Sequence, residues 1–287
     1  MNAPAPRKGP PAEMLEAKKA AEDLASRAGR RGFLIVRRSF VQLFDDDNHR
    51  AEAPLKAIVS RRGGGGVPLK LYLGLLWLCS SEPFTSEIRA ARWAGLLGLP
   101  DPQGQGKRRV AEALTLLSKL NLVVKHERPG GVSVIELLDE SGGLNRKGEA
   151  RRYTRPYDAA QAAKSTRRVR GSRYSNWYFK IPAKLWTDKA EIQQMSTSAL
   201  TMLLAYLSEA KPNQPDVWWS TSAFENRYGL SPAMRTRGTN ELVERGLLSV
   251  QKAPVGTPGK RRSFAPERVR NVYKPTRRLS GYMKDEN

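Results

Sequence analysis

The sequence predicts an α+β chain, mainly helical, in which one module of three helices and a strand pair occurs twice. Three observations predict it. Apolar residues recur at three- and four-residue spacing in two separate regions. Glycine or proline punctuates the helix ends in both. Each region then closes on two β-rich runs whose connection carries basic residues. The first copy runs from about Pro68 to Leu138 and the second from about Ser196 to Tyr273.

Residues 1–32 read as a disordered arm and a weak helix. Pro4, Pro6, Pro10 and Pro11 block regular structure, and the Ala-rich stretch from Glu13 to Arg30 has only Leu15 and Leu24 for an apolar face. Residues 33–66 read as a strand-like segment and a hinge. Phe33–Phe44 supplies the β-rich run, Asp45–Asn48 the turn, and Gly63–Gly66 a four-glycine stretch too free to form a packed element.

The first module, 67–140, opens with a buried helix carrying Leu69, Leu73, Leu76, Trp77 and Leu78 after Pro68, a residue that suits a first helical turn. A second helix spans Glu87–Leu97 and stops at Gly98. A third spans Gly104–Leu120, with Val110, Ala113, Leu114, Leu117 and Leu120 in one stripe and Gln105, Arg108, Glu112, Thr115 and Lys119 opposite. Leu122–His126 and Val132–Leu138 make the strand pair around Arg128-Pro129-Gly130-Gly131.

Residues 141–175 hold ten Lys+Arg against two acids, with four glycines, and read as a basic linker that buries little. The second module, 176–275, begins with a strand at Trp177–Ile181 and a short element at Pro182–Trp186. Ala199–Leu207 repeats the first helix. Ser222 with Glu225 matches a capping box for a helix through Tyr228, and Ser231-Pro232 caps a third helix that runs to Gly246. Leu247–Lys252 and Arg268–Tyr273 are its strands, and 276–287 is a C-terminal tail.

Charge narrows the partners. Lys and Arg total 50 against 28 acids, a net charge of +22, so the field favours polyanions. The longest apolar run, Leu71–Cys79, is broken by Gly74 and is far short of the roughly 20 residues that cross a bilayer. With no apolar core of a signal peptide at Met1–Pro11, the expected location is cytoplasmic, with no membrane partner. The single cysteine, Cys79, excludes an internal disulfide and a cysteine-based zinc site.

The run Ala91-Arg92-Trp93-Ala94-Gly95-Leu96-Leu97-Gly98-Leu99, followed by Arg109-Val110, Ala113-Leu114, Leu117 and Leu120, resembles winged helix-turn-helix regulators. Glu241-Leu242-Val243-Glu244-Arg245-Gly246-Leu247-Leu248 resembles the end of the recognition helix and the start of the wing in the same family. The resemblance covers roughly half of the chain. Met234, Gly238, Leu242 and Val243 are the small or apolar positions of the second recognition helix, and Thr239 departs from the pattern where a larger apolar residue is usual. Tandem winged-helix proteins of this shape are similar to plasmid and mobile-element replication initiators and to transcription regulators. The resemblance therefore implies two winged-helix domains joined by the basic linker, without cofactor or metal, on double-stranded DNA with a direct or imperfectly repeated site. One chain or a homodimer would bind, beside replication or transcription machinery.

A recognition helix presents donors and acceptors to base edges while its other face anchors in the core. That selects Gln105, Lys107, Arg108 and Arg109 in the first copy and Arg235, Thr236, Arg237 and Asn240 in the second. Arg suits guanine, Gln suits adenine, and Lys107 suits a phosphate. At the wing tips Arg128 and the cluster Lys260, Arg261 and Arg262 suit backbone or minor-groove contact. Arg167, Arg168, Arg170 and Arg173 would track phosphates or serve only as a spacer. Trp77, Trp93, Trp186 and Phe224 belong to apolar patterns and read as core, and Trp218-Trp219 as filling a junction between strand and core.

No catalytic constellation emerges, so the chain reads as a non-enzyme. His49 beside Asp45, Asp46 and Asp47 is the one alternative, a metal-dependent nuclease, against the simpler reading of a polar turn. His126 lies on an expected wing strand with only the adjacent Glu127 near it, which makes no catalytic constellation, and Gly63–Gly66 lacks the ending of a phosphate-binding loop. An adaptor binding RNA or a replication protein through the basic linker is a third reading.

Overall fold

The computed structural model describes residues 12–27, 32–46, 49–61, 64–129, 132–165, 177–211, 213–254 and 269–284. The proline-rich arm, the second wing tip with Lys260, Arg261 and Arg262, and the linker arginines 167, 168, 170 and 173 lie outside them. The fold is α+β, with helices dominant and only small antiparallel sheets.

Its first half runs α1 (Ala12–Arg27), β1 (Phe33–Arg37), α2 (Arg38–Val41), β2 (Phe44–Asp46), β3 (His49–Ala51), α3 (Pro54–Val59), α4 (Gly66–Leu78), β4 (Thr85–Ser86), α5 (Ala90–Leu96), α6 (Gln105–Lys119), β5 (Val123–His126), β6 (Val134–Leu137) and α7 (Pro156–Ser165). Its second half runs β7 (Tyr178–Pro182), α8 (Lys184–Thr187), α9 (Glu191–Gln194), α10 (Thr197–Glu209), β8 (Val217–Trp218), α11 (Thr221–Tyr228), α12 (Pro232–Glu244), β9 (Leu248–Pro254), β10 (Val269–Pro275) and α13 (Arg277–Lys284).

The repeat is longer than the periodicity suggests, because it includes the strand and short helix before each helical set. Residues 66–99 match 197–230 without insertion: α4 and α10 have 13 residues each, and Gly98 and Gly229 both sit at φ +64 before the buried Leu99 and Leu230. That left-handed turn ends the helix without the Cβ clash another residue would meet. Both three-stranded sheets have the same order, β4-β6-β5 and β8-β10-β9. Their short first strands were not expected; two residues leave no readable alternation.

β1 and β7 pair with each other, and the register is symmetric. Phe33 lies opposite Pro182, Ile35 opposite Lys180 and Arg37 opposite Tyr178. The flanking backbone bonds, Arg38 N to the Trp177 carbonyl and Ala183 N to the Gly32 carbonyl, are equivalent under exchange of the strands. Gly66 and Thr197, the matched first residues of α4 and α10, also face each other: a Cβ on Gly66 would stand 2.9 Å from Thr197 Oγ1. These two self-matched contacts define a local twofold axis between the halves.

The core lies around that axis. α4 and α10 are buried on every side over most of their length, as no surface helix is. α2 packs on α10, and Trp186 of α8 stacks on Trp77 of α4 with ring centroids 6.0 Å apart. Gln42 Nε2 donates to Ser208 Oγ at 3.3 Å and Lys70 Nζ to the Gln193 carbonyl at 2.7 Å. α1 buries Ala17, Ala21 and Leu24 and spans from α5 to α8 and α9, tying the halves a second time. Trp77, Trp93, Trp186, Trp219 and Phe224 are core, as the sequence implied.

Several expectations need correction. The glycine stretch is no hinge over its described part: α4 starts at Gly66, and a Cβ on Gly65 would overlap the Ile58 carbonyl, so close backbone approach is what the position requires. Phe33–Phe44 yields the one or two strands expected, β1 and the start of β2, but with the short helix α2 between them. The supposed turn at 45–48 contributes Asp45 and Asp46 to β2, and Asp46 pairs with His49 of β3. The cap of α11 is Ser220, whose hydroxyl accepts from Ala223 N at 3.0 Å; Ser222 lies within the helix. The cap at Ser231 is as expected.

The start of the supposed linker is also ordered. Leu138 bridges to Arg152, α7 contacts β1, and Tyr153 is buried with its ring 5.0 Å from that of Phe84. Beneath it lies a buried ion pair. Glu140 accepts from Arg37 N at 2.7 Å and Arg37 Nη1 at 3.2 Å, and Arg37 Nη2 donates to Thr154 Oγ1 at 2.9 Å. The charges sit at the end of β1 and fix the segment over the strand pair.

Two predictions follow from this packing. A Cβ at Gly238 of α12 would overlap the Ser198 carbonyl and stand 2.6 Å from Met202 Cγ on α10. Gly238→Ala is expected to lower stability in urea unfolding by about 1–3 kcal/mol, the cost of overpacking a dense contact. Burial pushes the Glu140 carboxyl up from its ordinary 4.5 to about 7, against the pull of Arg37. Between those values the folded chain holds a proton that the unfolded chain has released, so stability falls as pH rises through that window. Glu140→Gln should flatten this slope in unfolding measured at a series of pH values.

Candidate nucleic-acid interface

α6 shows its polar face to solvent. Gly106, Val110, Ala113, Leu114 and Leu117 anchor it in the core, and Gln105, Lys107, Arg108 and Arg109 are exposed in its first turns. The helix start is closed by Asp101, whose carboxylate accepts from Gly104 N at 3.1 Å and Gln105 N at 2.9 Å. Those amides are therefore engaged, and the side chains are what this helix start offers to an anion. Arg108 pairs with Glu112 at 3.1 Å, but the two side chains are 82% and 64% exposed. Such a pair is worth only a few tenths of a kcal/mol, about 0.3–0.5, and yields easily to a stronger anion.

α12 is set differently. Burial matches Val110, Ala113, Leu114 and Leu117 of α6 to Arg235, Gly238, Thr239 and Leu242 of α12. Arg235 is thus half-buried and turned toward the sheet, which corrects its expected place on the exposed face of the helix. Its Nε donates to Tyr273 Oη at 3.0 Å and its Nη2 to the Trp219 carbonyl at 3.1 Å, with the guanidinium 5.0 Å from the Phe224 ring centroid. It fastens α12 to the sheet. Thr236 is exposed, but its hydroxyl donates to the Pro232 carbonyl at 3.1 Å. Arg237 and Asn240 are exposed, and Arg237 has no ion pair among the described residues. Thr239 is buried, where the small Gly238-Thr239 pair lets α12 approach α10 closely; Val243, expected inside, is 43% exposed.

Lys70 lies where the halves pack, its Nζ donating to the Gln193 carbonyl at 2.7 Å. Lys70, at the start of α4, has its amine lowered to about 8 by burial, then by Arg245 at the end of α12 and Arg109 of α6, with Glu241 opposing. The first wing tip is less available: Arg128 pairs with Glu87 at 3.0 Å. His126 does meet an acid, Glu136 Oε2 at 2.7 Å on the neighbouring strand, a partner that sequence proximity could not reveal. Among the described residues no group of three or more His, Cys, Asp or Glu side chains could hold a metal, and no helix is long and apolar enough to cross a membrane.

A groove of about 1030 Å³ runs beside α12, bounded by the start of α11 and by β8, β10 and β9. Sequence reading missed its main feature. Trp219 is buried among Phe224, Tyr228 and Tyr273, whereas Trp218 points outward at 51% exposure with the Arg270 guanidinium 4.2 Å from its ring centroid. Strand alternation through Val217-Trp218-Trp219 carries the signal, too short to stand out alone.

The two arginines of α12 should separate in mutation. Arg235→Ala is expected to lower the midpoint of thermal unfolding clearly, since it leaves the Trp219 carbonyl and Tyr273 hydroxyl unpaired. Arg237→Ala should leave it within about 0.5 kcal/mol of the parent, as exposed sites do.

Comparison with protein-family models, with curated proteins and with solved structures returned no match.

Proposed function

We propose that this chain is a sequence-specific double-stranded DNA-binding protein made of two winged-helix modules, α4–β6 and α10–β10, with α6 and α12 as recognition helices. The observation that carries the reading is the pairing of a buried and a cationic face on α6. Lys107, Arg108 and Arg109 are exposed above an anchored apolar stripe, in a chain of net charge +22. Arg237 and Asn240 are the corresponding offer of α12.

The roles follow from side-chain chemistry. Arg108 and Arg109 have the planar fork that takes guanine O6 and N7, Gln105 suits adenine, and Lys107 neutralises a phosphate. Arg237 and Asn240 repeat the guanine and adenine preference on the second helix. The pairing of β1 with β7 relates the two modules by a local twofold, which for the helices they carry favours half-sites of opposite orientation. An inverted pair of half-sites therefore suits one chain better than a direct pair. Because Arg237 matches Glu112 and Arg108 matches Ala233 in burial phase, the half-sites differ in sequence. The sequence resemblance favours initiation of replication on a plasmid or mobile element, with transcription regulation the second reading of the same architecture. Selection of bound fragments from a plasmid library separates them, by recovery of an origin or a promoter.

Salt titration tests the electrostatic core of the proposal. Log affinity for a selected duplex should fall linearly with log salt, by about 0.9 per phosphate contacted, and Lys107→Ala should lessen that slope by about one. A flat dependence, or a slope unmoved by Lys107→Ala with Arg108→Ala, would contradict it.

A further inference from the structure

We infer that the groove between α12 and the β8-β10-β9 sheet is a site for an unpaired nucleobase, so that the second half also holds single-stranded DNA. The inference rests on the DNA-binding reading and adds a second substrate class to it.

Trp218 carries it. A large aromatic ring on a folded surface is usually covered, and the other tryptophan of the pair is. Trp218 instead keeps 51% of its surface open although Arg270 already stacks on it at 4.2 Å. A cation thus stands over the ring while about half of the residue stays open to solvent. Val243 and Val269, 43% and 55% exposed, line the same groove, so three large apolar side chains that the fold leaves uncovered converge on one concavity. Thr236, Asn240 and Asn271 line it as well and supply hydroxyl and amide groups for a base edge.

The composition of this groove selects its occupant. A free aromatic face binds another π-face, and in a duplex the faces of the bases are hidden in the stack. Only an unstacked base can lie on Trp218. Arg270, oriented by the ring, and Arg235 supply positive charge for the accompanying backbone, although Glu225 and Glu244 at the rim keep the net field modest. Among the described residues the first half offers no matching aromatic at this position. Residue 87, which matches 218 in the uninterrupted 131-residue correspondence, is Glu, and its carboxylate pairs with Arg128. The groove is therefore a specialisation of the second half and not a by-product of the repeat.

Fluorescence of the full chain tests the site. In a Trp177→Phe background, Trp218 is the exposed tryptophan among the described residues, and a short oligothymidylate should quench its emission on binding. Trp218→Ala should weaken oligothymidylate binding roughly tenfold to hundredfold, the range of one base–aromatic stack. Trp218→Phe, which keeps a ring, should retain most of it. An abasic oligomer with the same phosphates should bind weakly and quench little. Duplex affinity is measured in parallel. Equal losses on duplex and single strand with Trp218→Ala, or equal binding of the abasic oligomer, would overturn the inference. Duplex binding without oligothymidylate binding would overturn it and leave the DNA reading intact, whereas binding of neither at low salt would remove both.

Discussion

The antiparallel pairing of β1 with β7 is the constraint on which the rest of the molecule depends. It joins strands whose matched centres, Ile35 and Lys180, are 145 residues apart, and it places them directly opposite each other. A two-stranded ribbon is marginal by itself. Here it is backed on one face by the enclosed helices α4 and α10, which pack on β1 and β7 respectively. On the other, the segment pinned by Glu140 and Tyr153 covers Arg37. Since the register is symmetric, the same pairing that closes the core also sets the orientation of everything built on each half, including α6 and α12.

On that common frame the halves have diverged in their surface chemistry. Helix caps are one example: Ser196, Ser220 and Ser231 cap α10, α11 and α12 with their hydroxyls, whereas α6 starts on the carboxylate of Asp101. Core substitution is another, since Arg235 replaces the apolar Val110 and is accommodated by a box of aromatic rings and backbone carbonyls. The replacement of Glu87 by Trp218 then turns a position held in an ion pair into an open aromatic face.

The helices were legible because burial imprints a period on them: Val110, Ala113, Leu114 and Leu117 announce α6, and Ser231-Pro232 announces α12. What escaped depends on partners far away in the chain. Arg37 and Glu140 are polar residues with no local reason to be buried, and only their meeting 103 positions apart makes it affordable. Gly65 looked free because its obligation, close approach to Ile58, is tertiary. Arg235 and Arg237 look alike in sequence as cations near the start of a helix, whereas burial turns Arg235 toward the sheet and Arg237 toward solvent. The exposure of Lys107, Arg108, Arg109 and Asn240 needed only the helical period, and that is why it was readable.

Crosslinking across the ribbon tests the symmetric pairing most directly. Ile35 and Lys180 form a non-hydrogen-bonded pair, the closer kind in an antiparallel ladder, with Cα atoms about 4.5 Å apart. With Cys79 replaced by Ala, Ile35→Cys with Lys180→Cys should oxidise readily to a disulfide within one chain, while Ile35→Cys with Tyr178→Cys should not. A disulfide only between chains, or one formed as readily in the shifted pair, would contradict the twofold arrangement of the two halves.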